Sequence, residues 1–256
     1  RVKPYPPVTF RGTRLGDVKL PVAFFRGEDR PTFRRSEGGE LVPTGDKVRR
    51  LSFEKLTGES VESAGERYLA LEGGRLFVKS RDAVVPEPRA KTPWGDAIGS
   101  TAHVSELPKG RRSWLEVSIR GGWLIAYEDT TPVYATMISA GRGGEPVAGR
   151  PTLETASTPT GTFPINGKFA TATMEAPGEF VHSDVPWVQN LTGPYALHTA
   201  YWHDNWGNLM SAGCVNVSPD DAKWLYEFTD PKVPEGWHGV RWLPREESST
   251  VVVIHG

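Results

Sequence analysis

The chain has 256 residues with a nearly balanced charge, 30 Lys and Arg against 31 Asp and Glu, and a single cysteine, Cys214. The balanced charge excludes a global basic field for nucleic acid or an anionic membrane surface, and no apolar run reaches the roughly 18 residues of a transmembrane helix. A single thiol excludes an intrachain disulfide and any metal site that needs two thiolates.

The 28 glycines and 22 prolines of the chain predict many short strands joined by turns, in one or two domains. Residues 1–20 are Pro-rich and basic, so we expect an extended segment that acts as a tether. The chain starts at Arg1 without a leader pattern, as expected of a mature or trimmed protein. Residues 21–85 carry short apolar runs separated by glycine pairs such as Gly38-Gly39, and they predict a small SH3-like β-barrel domain.

The 86–112 segment concentrates proline and glycine and is predicted to be a linker. Because few contacts cross a domain boundary, we expect proteolysis there to release the C-terminal part. In that part, residues 113–255, the apolar runs at 114–119, 123–127 and 133–139 predict an antiparallel meander.

One helix is predicted near the C-terminus, directly after Ser218. Serine caps helix N-termini, Pro219 suits the first helical position, and Asp220 and Asp221 complement the positive end of the helix dipole. The predicted fold class is therefore mostly β, with a small barrel followed by a larger β-rich domain.

Cys214 is the residue with the most distinctive chemical surroundings. A cysteine nucleophile needs a base to form its thiolate and amide donors to stabilise an oxyanion. Gly213 allows the backbone to approach a substrate closely, and His198 lies 16 residues upstream as a candidate base. The alternative for the cysteine by itself is a buried side chain at a tight turn.

The string His198 … Ser211-x-Gly213-Cys214-x-Asn216 resembles the signature of L,D-transpeptidases with a YkuD-type catalytic domain. The resemblance covers roughly residues 113–255. Further similar segments are His198-Thr199-Ala200-x-Trp202 and Thr158-Pro159-Thr160-Gly161-Thr162-Phe163. The sequence departs from the family at Ala212, where many members carry a second histidine.

The resemblance implies a β-sandwich-like catalytic domain and an acyl transfer on peptidoglycan stem peptides. The Cys214 thiolate would attack the L,D amide of a donor tetrapeptide, and His198 would protonate the departing D-alanine. An acceptor amine would then attack the thioester with His198 as base. The main-chain carbonyl of Thr199 would orient the histidine, and no cofactor or metal is implied. Carbapenem-type β-lactams are implied as covalent inhibitors, and the location implied is the periplasm or cell envelope.

Further site residues are expected around this pair. Gly213, Thr199 and Asn216 are expected to stabilise the oxyanion or orient the histidine. Side chains expected to contact substrate are Tyr195, Trp202, Ser211 and Trp187, although tryptophans more often serve in packing. A predicted lid at 175–191 contains His182 and Asp184, whose polarity a surface position explains equally well.

Four alternative functions are considered, two that use the same cysteine acyl transfer and two that do not. Water as acceptor would give an L,D-carboxypeptidase, and a protein lysine would give an enzyme that anchors proteins to the wall. A non-catalytic wall-binding module and a metal-dependent hydrolase using His198, His203 and Cys214 remain open. We expect His198 to be the base because it ends an apolar strand, whereas His203 begins a turn-rich stretch that is predicted to be mobile and solvated.

Overall fold

The computed structural model describes residues 7–16, 18–100, 112–176, 178–241 and 249–256. In these ranges the chain forms three β-sheets and two short helices, so the prediction of a mostly β fold is confirmed. Neither helix has the length and apolar composition that a membrane span requires.

The first eight strands lie between residues 13 and 84. They are β1 (Thr13–Arg14), β2 (Val22–Phe25), β3 (Arg30–Arg35), β4 (Leu41–Val48), β5 (Phe53–Ser63), β6 (Glu66–Leu71), β7 (Phe77–Lys79) and β8 (Ala83–Val84). Seven of them form one sheet in the order β4-β3-β7-β6-β5-β2-β8. We call residues 21–85 the N-terminal domain; its likeness to an SH3 barrel stays a prediction.

The remaining elements follow residue 112. They are β9 (Ser113–Ser118), β10 (Trp123–Glu128), β11 (Thr131–Met137), α1 (Thr152–Thr155), β12 (Gly161–Pro164), β13 (Gly167–Ala176), β14 (Phe180–Thr192), β15 (Tyr195–Thr199), β16 (Val215–Val217), α2 (Pro219–Phe228), β17 (Gly239–Arg241) and β18 (Val251–His255). One sheet has the order β1-β11-β10-β9-β18-β12 and the other β16-β15-β14-β13-β17. The predicted meander is β9-β10-β11, and the predicted cap holds because Ser218 Oγ accepts from Asp221 N.

The main core lies between these two sheets and α2. Nearly every residue of β9 and β10 is buried, including the polar residues of β9, as expected of strands covered on both faces. Their side chains pack with residues of β15, β16 and α2, which fixes the two sheets face to face. The principal members are Leu115, Leu124, Ile138, Leu197, Val215 and Leu225.

The N-terminal segment is built into the C-terminal domain, so the expectation of a free tether is wrong for residues 7–16. β1 pairs with β11, and Gly12 N donates to Asp221 Oδ1 at 2.8 Å. Phe10 is 2% exposed in a second apolar cluster shared by the N-terminal domain and the C-terminal sheet. The start of the Pro-rich stretch, residues 1–6, lies outside the described residues.

The predicted linker also makes contacts where it is described. Arg89 N donates to the buried Glu116 carboxylate on β9 at 3.3 Å, and Gly99 N donates to Thr130 O at 2.9 Å. Residues 101–111 lie outside the described residues. Separation of the N-terminal domain from the C-terminal part by cleavage at this segment stays a prediction. The apolar cluster that the two parts share argues against it.

Candidate active site

His198 and the segment after Cys214 lie on adjacent strands of one sheet. β15 and β16 are parallel, and their register places His198 beside Asn216. Both residues are almost fully buried, at 3% and 2% exposed. Because strands fix side-chain direction better than loops do, this pairing holds the imidazole in one orientation.

The imidazole of His198 is further fixed by its own backbone. Nδ1 lies 2.8 Å from the carbonyl oxygen of Thr199, and a carbonyl can only accept, so Nδ1 carries the proton and donates. In the neutral ring Nε2 is then the acceptor. The Thr199 carbonyl thus fixes which ring nitrogen carries the proton.

Cys214 follows a tight turn held by Ser211. The Ser211 hydroxyl accepts from Gly213 N at 3.0 Å and donates to the Cys214 carbonyl at 2.6 Å. Gly213 has φ +132°, and a Cβ there would lie 2.6 Å from the Tyr195 ring and 3.0 Å from Ser157 O. Only glycine fits both the conformation and the space. The Cys214 side chain is partly exposed.

Cys214, His198 and Asn216 line one cavity of about 430 Å³. One wall is the β13–β14 hairpin, in which Met174 pairs with His182, so these two side chains share a face. Other lining residues are Arg142, Phe180, Tyr195, Trp202, Ser211 and Ala212. Of the residues expected to contact substrate, the structure thus brings Tyr195, Trp202 and Ser211 to the cavity.

Trp187 does not line this cavity, and its expected contact with substrate stays a prediction. Its ring packs against Tyr226 on α2 at a centroid distance of 5.2 Å and lies against the main core. The backbone of Trp187, within β14, has φ +57°.

Burial sets the protonation of the Cys214–His198 pair. Burial raises the pKa of Cys214 to about 11, partly offset by a hydrogen bond from the Ala196 backbone. Burial lowers the pKa of His198 to about 4, opposed by its hydrogen bond to Thr199 and reinforced by His182 and His203. The pair therefore rests as a neutral thiol and a neutral imidazole at pH 7.

A stack of aromatic rings lies beside His198 in the cavity wall. His182 lies flat on Trp202 at 3.8 Å with an interplanar angle of 4°, and Phe180 stacks on His182 at 5.0 Å. Trp202 in turn lies 6.1 Å from His198. The sequence marked His182 only as an ambiguous lid residue; the alternation of inward residues along β13 and β14 is the signal that would have found it.

An ion pair crosses the rim of the cavity and was missed from the sequence. Arg142 Nη2 donates to both carboxylate oxygens of Glu179, each at 2.8 Å. Arg142 lies in the Gly-rich stretch Gly141-Arg142-Gly143-Gly144 between β11 and α1, and Glu179 lies in the turn between β13 and β14. The pair therefore connects the hairpin to the opposite rim.

His203 lies behind this cavity. Its Nδ1 accepts from Asn205 N at 3.2 Å, and its Nε2 is 3.4 Å from the Asn216 amide. Burial lowers its pKa to about 4. Among the described residues no three His, Cys, Asp or Glu side chains are arranged to hold a metal, so the geometry gives no support to the hydrolase reading with His203 and Cys214 as ligands.

Comparison with known proteins assigns the C-terminal part of the chain to a family. The model of the YkuD L,D-transpeptidase catalytic domain matches residues 112–254, more than half of the chain. The chain belongs to this L,D-transpeptidase family. No curated protein gives a significant match.

Several solved L,D-transpeptidase structures are similar to the chain. An L,D-transpeptidase from Mycobacterium smegmatis has 15% identity and a TM-score of 0.43, with 96% of this chain and 100% of that chain covered. A mutant L,D-transpeptidase from Enterococcus faecium has 19% identity and a TM-score of 0.41, with 56% of this chain covered. The match spans about half, 50%, of that Enterococcus chain. The E. faecium catalytic domain acylated by ertapenem has 19% identity and a TM-score of 0.39, with 58% of this chain and 100% of that chain covered.

Proposed function

We propose that this L,D-transpeptidase domain acts on peptidoglycan stem peptides, with Cys214 as nucleophile and His198 as the single acid–base group. The observation that carries the proposal is the hydrogen bond from His198 Nδ1 to Thr199 O, which leaves Nε2 as an acceptor in the cavity that Cys214 also lines. A thiol and a positioned base in one cavity are the two requirements of covalent acyl transfer.

Acylation begins from the neutral pair. As the donor amide binds, the Cys214 thiol passes its proton to His198 Nε2, and the sulfur attacks the carbonyl carbon of the L,D amide. Collapse of the tetrahedral intermediate breaks the C–N bond, and His198 returns the proton to the departing amine of D-alanine. The backbone amide of Cys214 is the candidate for stabilising the oxyanion, because Cys214 lines the cavity, whereas the amide of Gly213 donates to Ser211 Oγ.

Deacylation reverses the roles of the same groups. An acceptor amine attacks the thioester, His198 takes a proton from the attacking nitrogen, and the C–S bond breaks as that proton returns to sulfur. A stem-peptide amine completes a cross-link, whereas water would trim the stem and a protein lysine would anchor a protein. The ring stack of His182 and Trp202 forms the wall along which the peptide lies.

The substrate also fixes where the enzyme works. Peptidoglycan lies outside the cytoplasmic membrane, so we propose that the chain is exported to the cell envelope. No ligand beyond the peptide is needed for either half-reaction, because the thiol and the imidazole supply the nucleophile and the proton transfers.

Mass spectrometry of muropeptides tests the proposal. The purified chain is incubated with disaccharide tetrapeptides, and we expect cross-linked dimers with loss of D-alanine, while Cys214→Ser gives none. Products trimmed to tripeptides without dimers would assign carboxypeptidase activity instead. Unchanged tetrapeptides with the wild-type chain would contradict the proposed function.

A further inference from the structure

The loop between His198 and Cys214 is anchored, contrary to the prediction of a mobile, solvated stretch. We call residues 201–210 the catalytic loop. Ser139 Oγ donates to Asn205 O at 3.0 Å, and Gly207 N donates to Ile138 O at 2.9 Å. Trp206, in the middle of the loop, is 0% exposed.

Two arginines of the N-terminal domain contact main-chain carbonyls of this loop, and one of them also pairs with a loop carboxylate. Arg50 Nη2 lies 2.9 Å from the Asp204 carboxylate and donates to the Asp204 carbonyl at 3.0 Å. Arg26 Nη1 donates to Gly207 O. Gly207 has φ +80°, and a Cβ there would lie 3.2 Å from Arg26 Cδ, so the two domains meet along the loop backbone itself.

Aromatic contacts continue the connection into the catalytic loop. Phe10 packs edge-on against Phe24 of β2 at 6.0 Å and stacks with Trp206 at 6.3 Å. Trp206 contacts the His203 ring at 4.6 Å. The cluster is apolar and buried, so the loop is not free to move independently of the N-terminal domain.

The loop reaches the reacting groups through His203. His203 Nε2 lies 3.4 Å from the amide of Asn216, which pairs in register with His198 and lies two residues after Cys214. The ring nitrogen opposite, Nδ1, accepts from the loop backbone at Asn205. His203 thus connects the loop to the strand that follows the cysteine.

We propose that the N-terminal domain is a working part of the active site, with Arg50 as a positioning residue that acts through the catalytic loop, His203 and Asn216. The proposal rests on the function proposed above. The Arg50–Asp204 pair is partly exposed, with side-chain exposures of 36% and 42%, and pairs of this kind contribute little to global stability. Such a pair can still affect a reaction rate, because a small misplacement of the reacting groups raises the activation free energy far more than it lowers the free energy of unfolding.

The test uses the whole chain and acylation by ertapenem, followed by intact mass to give the maximal rate constant and the half-saturating concentration. We expect Arg50→Ala to lower the maximal rate constant about tenfold, with a smaller change in half-saturation, since Asp204, the loop residue that Arg50 contacts, does not line the cavity. The thermal midpoint should stay within about 2 °C of wild type. Arg49→Ala removes a neighbouring exposed arginine and is the matched control, expected to stay within about twofold. Arg50→Lys should recover part of the rate because it keeps one charged donor.

A double-mutant cycle with Asp204→Ala separates positioning from general destabilisation. We expect Arg50→Ala and Asp204→Ala together to lose no more than Arg50→Ala alone, because Arg50→Ala already removes both the ion pair and the hydrogen bond to the Asp204 carbonyl. A normal rate in Arg50→Ala, additive losses in the cycle, or a rate loss that follows the thermal midpoint would overturn the inference. Absence of acylation in the wild-type chain would instead contradict the proposed function.

Discussion

On the floor of the cavity, His198 and Asn216 lie on paired strands and are 3% and 2% exposed, whereas on the β13–β14 hairpin that forms one wall, Val181 is 66% exposed. The floor is fixed by buried strand pairing. The described contact of the hairpin tip with the opposite rim is the ion pair between Arg142 and Glu179, which is about half exposed on each side. The proposed base, His198, therefore lies on the buried, strand-paired part of the cavity, and the hairpin forms a more exposed wall.

The largest expected effect is on the floor, at the base. His198→Ala should lower acylation by ertapenem at neutral pH at least about a hundredfold, because a positioned base contributes roughly 10²–10⁴ in rate. Higher pH should restore part of the rate, since hydroxide can then generate the thiolate. His203→Ala is the comparison and should stay within about tenfold, because His203 supports Asn216 and does not line the cavity. Equal losses in the two variants would contradict His198 as the single acid–base group.

A smaller effect is expected on the wall, at the ring stack. His182→Ala removes the ring that lies flat on Trp202 and should lower the acylation rate about three- to tenfold, in proportion to a stacked pair of about 0.5–1.5 kcal/mol. His182→Phe keeps the stack and should lie near wild type. A loss in His182→Phe as large as in His182→Ala would show that the imidazole nitrogens, not the packing, matter.

Acid should lower the free energy of unfolding through the two buried histidines, and a His203 variant isolates the contribution of one of them. Burial lowers the pKa of both His198 and His203 to about 4 from 6.5, so the unfolded chain binds protons that the folded chain excludes. Above pH 6.5 each imidazole is neutral in both states and the free energy of unfolding is at its full value. As the pH falls toward 4, the unfolded chain binds the extra protons, and the free energy of unfolding falls by about 1–2 kcal/mol per group at pH 5. His203→Gln should therefore lose less stability between pH 7 and pH 5 in denaturant titrations. An equal loss in the variant and the wild type would contradict burial of a neutral His203.

The smallest effect is expected at the rim. Arg142→Ala and Glu179→Gln should each change acylation less than about threefold, and the double variant should match either single one, because a surface ion pair is worth about 0–1 kcal/mol. Amide hydrogen exchange at the hairpin should be faster in all three, while exchange in β15 should be unchanged. Faster exchange in β15 as well would show that the floor and the wall are not independent.

Much of the floor could be predicted because its signal is local. Cys214, Gly213 and Ser211 lie within one turn, and the apolar run before His198 indicates a strand end. The helix after Ser218 was likewise readable from its cap. These features depend on backbone chemistry within a few residues, which the sequence records directly.

The rest depends on contacts between distant segments. Phe10 lies in a Pro-rich stretch and becomes buried only because Trp206 and Phe24 meet it, so neither the docked N-terminal segment nor the anchored catalytic loop could be predicted from its own composition. Trp187 is the opposite case, an aromatic residue expected in the groove. Its backbone has φ +57° and its ring packs against Tyr226 on α2, and neither feature could be predicted from the neighbouring sequence.

The most direct test of the account is the mass of the intact chain after exposure to ertapenem. Cys214→Ser keeps the size of the side chain and removes the thiol, so it should fold with a thermal midpoint close to that of the wild type. We predict one adduct per wild-type chain, mapped by peptide analysis to Cys214, and none on Cys214→Ser. An adduct that persists in Cys214→Ser, or a wild-type chain that forms none, would contradict Cys214 as the nucleophile.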